Sequence, residues 1–273
     1  MEITVLGPFN ATENGCPIAP TAAKPRQVLA LLAMHAGRGV TVPLLMEEVW
    51  GDDPPRSAVT TLQTYILQLR RMIDDALEGT SGPAAKKALS TWQGGYRLDI
   101  RPHDVDVHAF EQLAVSGRIA LRNDDPATAS RLLAQALALW QGPPLSGIRV
   151  GDILRIEVAR LTEAHYGVLE DRITADLRLG RHAQLISELT ALTERYPMNE
   201  NLQALRMLAL HRSGRSWQAL DAYTRLRTTL IDELGLEPCL RLQRLQRSIL
   251  ASDPALDQLH QEVSAPEVSR LAG

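Results

Sequence analysis

Ser57-Ala58-Val59-Thr60-Thr61-Leu62-Gln63-Thr64-Tyr65-Ile66-Leu67-Gln68-Leu69-Arg70-Arg71-Met72-Ile73 is the stretch on which the fold turns. It follows the break Asp52-Asp53-Pro54-Pro55, and Ser57 stands where a helix cap is expected. Val59, Leu62, Ile66, Leu69 and Ile73 recur at intervals of 3, 4, 3 and 4, which puts five apolar side chains on one helix face. At ~100° per residue the opposite face carries Ser57, Thr60, Thr61, Thr64, Gln68 and Arg71, with Tyr65 and Arg70 on its flanks. No acidic residue occurs from Pro54 to Ile73, whereas Arg56, Arg70 and Arg71 do. Hydroxyl, amide and guanidinium groups cleared of carboxylates suit a phosphate-lined groove. Taken alone, the pattern also describes the solvated side of any amphipathic helix.

The neighbours on either side decide between those readings. Before the helix, residues 1–20 read as strands, with Asn14-Gly15 as a hairpin turn. A one-sided helix then starts near Lys24, with Val28, Leu29, Leu31, Leu32 and His35 as its apolar stripe, and ends at Gly37 and Gly39. A second, short helix is capped by Thr41 and carries Leu44, Leu45, Val49 and Trp50. After the third helix, residues 79–87 read as a loop, and 88–100 as a hairpin turning at Gln93-Gly94-Gly95. Strands, three helices, hairpin is the order of a winged helix-turn-helix, with the third helix as the reading helix.

Within that fold, Gln68 and Arg71 are placed to hydrogen-bond base edges, and Thr61 or Thr64 to meet thymine methyls. Lys24, Arg26 and Arg56 stand at helix starts and suit phosphates. In the wing, Trp92, Gln93 and Arg97 reach the backbone or minor groove. Trp92 fits packing over a core edge equally well.

From 105 to 250 the periodicity is helical throughout, with spans at 105–122, 126–140, 152–179, 182–196, 199–213, 216–234 and 238–250. Gly180-Arg181 and Gly214-Arg215 lie 34 residues apart, the tetratricopeptide period. Paired helices of this kind form a protein-binding scaffold, a dimerisation module, or both. The fold class expected is therefore mainly α with a small β component. The expected domains are a winged helix at 1–101, a helical domain at 102–250, and a flexible tail at 251–273.

The 273 residues carry 29 Lys and Arg against 32 Asp and Glu, a formal charge of −3. Residues 1–100 hold nine basic and ten acidic side chains, so only a local basic face is expected, at 54–73. Two distant cysteines and seven scattered histidines show no metal-ligand spacing, and neither GxxxxGK[ST], GxGxxG nor GxSxG occurs. Neither a cofactor nor enzymatic chemistry is expected. Without a signal peptide or an 18-residue apolar run, the expected place is the cytoplasm, at the nucleoid.

Several short words in a fixed order then add up to a resemblance. They are Val5-Leu6-Gly7-Pro8, Lys24-Pro25-Arg26-Gln27-Val28-Leu29-Ala30-Leu31-Leu32, Glu48-Val49-Trp50-Gly51-Asp52-Asp53-Pro54-Pro55 and Leu62-Gln63-Thr64-Tyr65-Ile66 through Leu69-Arg70-Arg71. Gly95-Tyr96-Arg97-Leu98 and Asp232-Glu233-Leu234-Gly235-Leu236-Glu237-Pro238 complete the set. The chain resembles the small two-domain members of the Streptomyces antibiotic regulatory protein family. The resemblance implies an OmpR-type winged helix joined to a tetratricopeptide-like bacterial transcriptional activator domain. It implies a pathway-specific activator of secondary-metabolite genes that binds direct repeats near the promoter −35 element as two protomers in tandem. RNA polymerase holoenzyme, including its sigma factor, is the implied partner. By position, the reading helix would use Thr61, Thr64, Tyr65, Gln68 and Arg71, and the wing Thr91, Trp92 and Gln93. Neither receiver-domain control nor an NTPase module is expected. The alternatives are a repressor, or an adaptor whose winged helix binds protein.

Overall fold

A computed structural model describes residues 1–77 and 87–258. The loop expected at 79–87 lies, apart from Lys87, outside the described residues, as does the tail beyond 258. The chain forms two compact units. One is Met1–Ser116 with Leu132–Val168, and the other is Gly117–Arg131 with the residues from Leu169 onward.

The first unit opens with β1 (Glu2–Thr4), β2 (Asn10–Glu13) and β3 (Cys16–Pro17), an antiparallel meander in that order. Asn14 and Gly15 turn it with φ of 51° and 80°, the left-handed backbone that Asn-Gly tolerates. Next come α1 (Ala23–Met34), β4 (Gly39–Thr41), α2 (Val42–Trp50), α3 (Ala58–Ala76), β5 (Leu89–Trp92) and β6 (Gly95–Leu98). The second sheet has the order β4-β6-β5, with Val40 opposite Tyr96 and Thr91 opposite Tyr96 from the other side. Strand β4 is absent from the sequence reading. Its three residues carry no period of their own, and their partner β6 lies more than fifty positions away.

Three local expectations change. Helix α1 is not one-sided: every residue from Gln27 to Met34 is buried, because α2, α3 and β6 all pack on it. In α3 the buried stripe is Ala58, Leu62, Ile66, Leu69 and Ile73. Val59 is 46% exposed and does not belong to it. Ser57 holds the cap position without a side-chain hydrogen bond, whereas Thr41 Oγ1 accepts from the Leu44 amide of α2 at 3.4 Å.

The helical part comprises α4 (Asp106–Arg122), α5 (Pro126–Ala138), α6 (Asp152–Arg178), α7 (His182–Arg195), α8 (Glu200–Arg212), α9 (Ser216–Leu234), α10 (Leu240–Leu250) and α11 (Ala255–Gln258). Four of its joints are built alike. Asp124, Gly180, Gly214 and Ser252 each take a positive φ between 51° and 76°. The following amide then bonds the carbonyl five residues back: Asp125 to Ala120, Arg181 to Asp176, Arg215 to Leu210 and Asp253 to Ser248. Such a left-handed residue stops one helix and aims the next. In the second unit α8 packs against α7, α9 and α10 around Met207, Leu210, Tyr223, Leu226, Leu242 and Ile249. Leu256 is buried in the same core and its carbonyl accepts from Arg212 at 2.7 Å. The flexible tail expected from 251 is thus corrected at its start.

Two words of the family resemblance turn out to join the winged helix to the helical part of the first unit. The carbonyls of Val5, Leu6 and Gly7 accept from the amides of Leu145, Gln141 and Ser146 at 2.8–3.0 Å. The Asp106 carboxylate accepts from the Val5 and Leu6 amides at 2.9 and 3.0 Å. Burial still pushes its carboxyl above the usual aspartate range. The other word supplies Glu48, which is fully buried at the start of α6. Its Oε1 accepts from Gln27 Nε2 and from the Gly151 amide, both at 2.6 Å, and its Oε2 from the Leu154 amide at 2.9 Å. A carboxylate there satisfies amides of the first turn and meets the positive end of the helix dipole. At Gly151 a side chain would run into the Glu48 carbonyl, 2.1 Å from where its Cβ would stand.

Candidate nucleic-acid interface

Helix α3 shows solvent a face of Thr60, Gln63, Thr64, Leu67, Gln68 and Arg71, all exposed, with Thr61 half-buried at its edge. The Thr64 hydroxyl donates to the Thr60 carbonyl at 3.0 Å, and the side chain stays exposed. Leu67 is 49% exposed near the middle of this face, four residues before Arg71. Sequence reading misses it because an aliphatic residue is assigned to the core by default. The period contains the signal nonetheless: at ~100° per residue Leu67 sits about 140° from Leu62, on the far side of the helix.

Tyr65 turns away from the others. It is half-buried and stacks on Trp50 of α2, with ring centroids 6.2 Å apart and planes 12° from parallel. Lys24 caps that stack, its Nζ 4.9 Å from the Trp50 ring centroid, and stays partly exposed. Arg26 is held by the first sheet: Nη2 donates to the Phe9 carbonyl at 2.6 Å and the guanidinium lies over the Phe9 ring. Arg56 is exposed at the start of α3 with no ion pair among the described residues, and the same holds for Arg38, Arg71 and Lys87.

The wing is braced to the reading helix by Arg70. Its Nε donates to the Leu89 carbonyl at 2.9 Å and its Nη2 to Thr91 Oγ1 at 3.0 Å. Trp92, 39% exposed, lies across Gly39, where a Cβ would come within 2.2 Å of the indole. Of the two readings open for Trp92, packing is the one observed, with an edge left to solvent. Gly95 is under the same constraint, since a Cβ there would stand 2.0 Å from the Val40 carbonyl. Gln93 is exposed at the turn, which Gly94 closes with a φ of 70°. Arg97 pairs with Asp99 at 2.5 Å, and Ser90 donates to the same carboxylate at 2.6 Å. Among the described residues no group of histidine, cysteine and acidic side chains could hold a metal ion, and no helix is long and apolar enough to cross a membrane.

A third helix whose outward face carries Arg71 and no carboxylate as far as Ile73, a wing braced against it and a helical part following in the chain define a winged-helix transcriptional regulator. Comparison with known proteins agrees along the chain. Residues 19–98 match the family described as transcriptional regulatory protein, C terminal, and 105–250 match the bacterial transcriptional activator domain. The chain belongs to the Streptomyces antibiotic regulatory protein family of transcriptional activators. It is 53% identical to regulatory protein DnrI of Streptomyces peucetius across the whole of both chains. Its identity to transcriptional regulator RedD of Streptomyces coelicolor is 36%, over 94% of this chain and 72% of RedD. Regulatory protein AfsR of the same species is 38% identical over 93% of this chain, which spans only 25% of AfsR. Among solved structures, Mycobacterium tuberculosis EmbR in complex with a low-affinity phosphopeptide superposes with a TM-score of 0.87 at 31% identity. That match covers 94% of this chain and 67% of the other.

Proposed function

We propose that this protein activates a secondary-metabolite gene cluster by binding direct repeats near the −35 element and recruiting RNA polymerase holoenzyme through contacts that include the sigma factor. Two protomers bind in tandem at the nucleoid. Helix α3 enters the major groove with Thr61, Thr64, Gln68 and Arg71 toward base edges, and the wing, with Gln93 at its tip and Arg97 behind, follows the adjacent backbone. Lys24 and Arg56 meet phosphates. The observation that carries the reading is the outward face of α3 as far as Ile73, whose polar groups are exposed and free of carboxylates while Arg70 holds the wing alongside.

Arg71→Ala and Gln68→Ala are each expected to weaken binding to the cognate repeat by about 1–3 kcal/mol, leaving non-specific binding nearly unchanged for Gln68→Ala. A mobility-shift titration reads this directly. Unchanged promoter affinity in both variants would remove the reading role from α3. Transcription in vitro with purified polymerase separates activation from repression at the same promoter.

A further inference from the structure

We propose that the second unit carries a docking pocket for an acidic peptide, formed where α7, α8 and α9 meet. The cavity measures about 200 Å³ and is lined by Thr190, Arg206, Arg215, Trp217, Asp221 and Arg225, among others. Drug-sized ligands need roughly 300–1,000 Å³. A cavity of this size instead takes one or two side chains of a segment lying across the helices.

Charge selects the kind of side chain. Three guanidiniums line the cavity against the single carboxylate of Asp221, and Arg225 already pairs with that carboxylate at 2.9 Å. Arg215 donates to the neutral amide of Gln218. Arg206 is the least satisfied of the three. Its Nη1 donates to the Thr193 hydroxyl at 2.9 Å, while its Nε is shut off from solvent without an acceptor. Burial lowers its pKa and the positive charge of Arg225 adds to this, with Glu194 and Asp221 opposing. An arriving carboxylate therefore meets a half-buried, partly desolvated guanidinium, where a charge-assisted hydrogen bond is stronger than in open water.

Trp217 adds the second half of the recognition. It lines the same cavity, stands at the first turn of α9 and is 70% exposed. A bare indole beside arginines is the pairing that dominates binding hot spots. The occupant that satisfies both features is an acidic residue next to an apolar one in an extended segment of another protein.

The test uses the full chain without DNA, so its result is independent of promoter recognition. N-acetyl-(Glu-Leu)4-amide is titrated calorimetrically, with (Gln-Leu)4 and inorganic phosphate as comparison probes. Binding of (Glu-Leu)4 is expected in the range of weak peptide contacts, ~10–500 μM, with (Gln-Leu)4 at least ~10-fold weaker. Arg206→Gln and Trp217→Ala should each weaken it by ~10-fold or more at an unchanged melting temperature. Arg244→Gln, an exposed arginine on α10, should leave it unaltered. Trp217→Ala removes an exposed side chain, so it tests the pocket even if Arg206→Gln disturbs the fold. Absence of binding, equal affinity for both peptides, or insensitivity to Trp217→Ala would overturn the proposal. Displacement of the peptide by equimolar phosphate would overturn the peptide assignment in favour of a plain anion site.

Discussion

Each side chain of the reading helix does one of two jobs, and the split runs through a single residue pair. Arg70 and Arg71 are neighbours in sequence, yet Arg70 ties the wing to α3 while Arg71 points outward. Leu67 makes a sharper case. An aliphatic side chain amid hydroxyl and amide groups in the major groove has one natural base partner, the C5 methyl of thymine. Leu67→Ala is expected to cost about 1 kcal/mol of specific affinity. Replacing the thymines of the repeat with deoxyuridine should weaken the wild type more than the variant, and fluorescence anisotropy with the two duplexes reads the difference. Equal losses in both proteins would place Leu67 away from the bases. At this scale the sequence is legible where one period rules and opaque where a residue answers to a distant partner. Arg26 looks like a free cation until Phe9, seventeen positions earlier, supplies its acceptor. Tyr65 looks outward until Trp50 stacks on it.

Among the elements, helices were readable nearly to their ends. Four of the joints that separate them rest on local backbone geometry, and Gly180 and Gly214 announce two of those four outright. Strand β4 and the all-round burial of α1 were not readable, because both are imposed by packing partners far along the chain. The same holds for Glu48. In sequence it is one of two adjacent acidic residues inside α2, and only the fold shows it receiving a side-chain amide and two backbone amides at the start of α6. Glu48→Ala leaves the Gly151 and Leu154 amides without their acceptor, while Gln27 Nε2 keeps the carbonyl of residue 48 at 2.7 Å, and should destabilise the protein by ~2 kcal/mol or more. Glu48→Gln retains one acceptor oxygen but turns an NH2 toward the amides, so an intermediate loss is expected. Urea denaturation of the two variants orders them, and an unaltered midpoint for Glu48→Ala would show that the donors find other acceptors.

For the whole molecule, net charge and local charge pull in opposite directions. The chain carries −3 overall, and of its winged-helix cations Arg26, Arg70 and Arg97 are already engaged within the fold. Among the described residues that leaves a short roster for phosphates: Lys24, Arg38, Arg56, Arg71 and Lys87. Each phosphate neutralised contributes about −0.9 to the slope of log K against log salt, so three to five contacts per protomer predict a slope of roughly −3 to −5. A binding series between low and moderate ionic strength measures it, and a flat line would remove phosphate contact from the account. From composition a weak non-specific component is expected. Composition is silent on which cations the fold withholds, because that depends on who stands next to whom.

The buried seam between Val5–Gly7, Glu48 and residues 141–154 bears on how such a regulator can be retargeted. A graft that exchanges everything up to residue 101 between two relatives cuts every hydrogen bond across that seam and asks strangers to remake it. Rewriting only the outward positions of α3 leaves the seam whole. Under the proposed function, promoter choice is thus separable from the architecture at the grain of half a dozen side chains, and not at the grain of a domain.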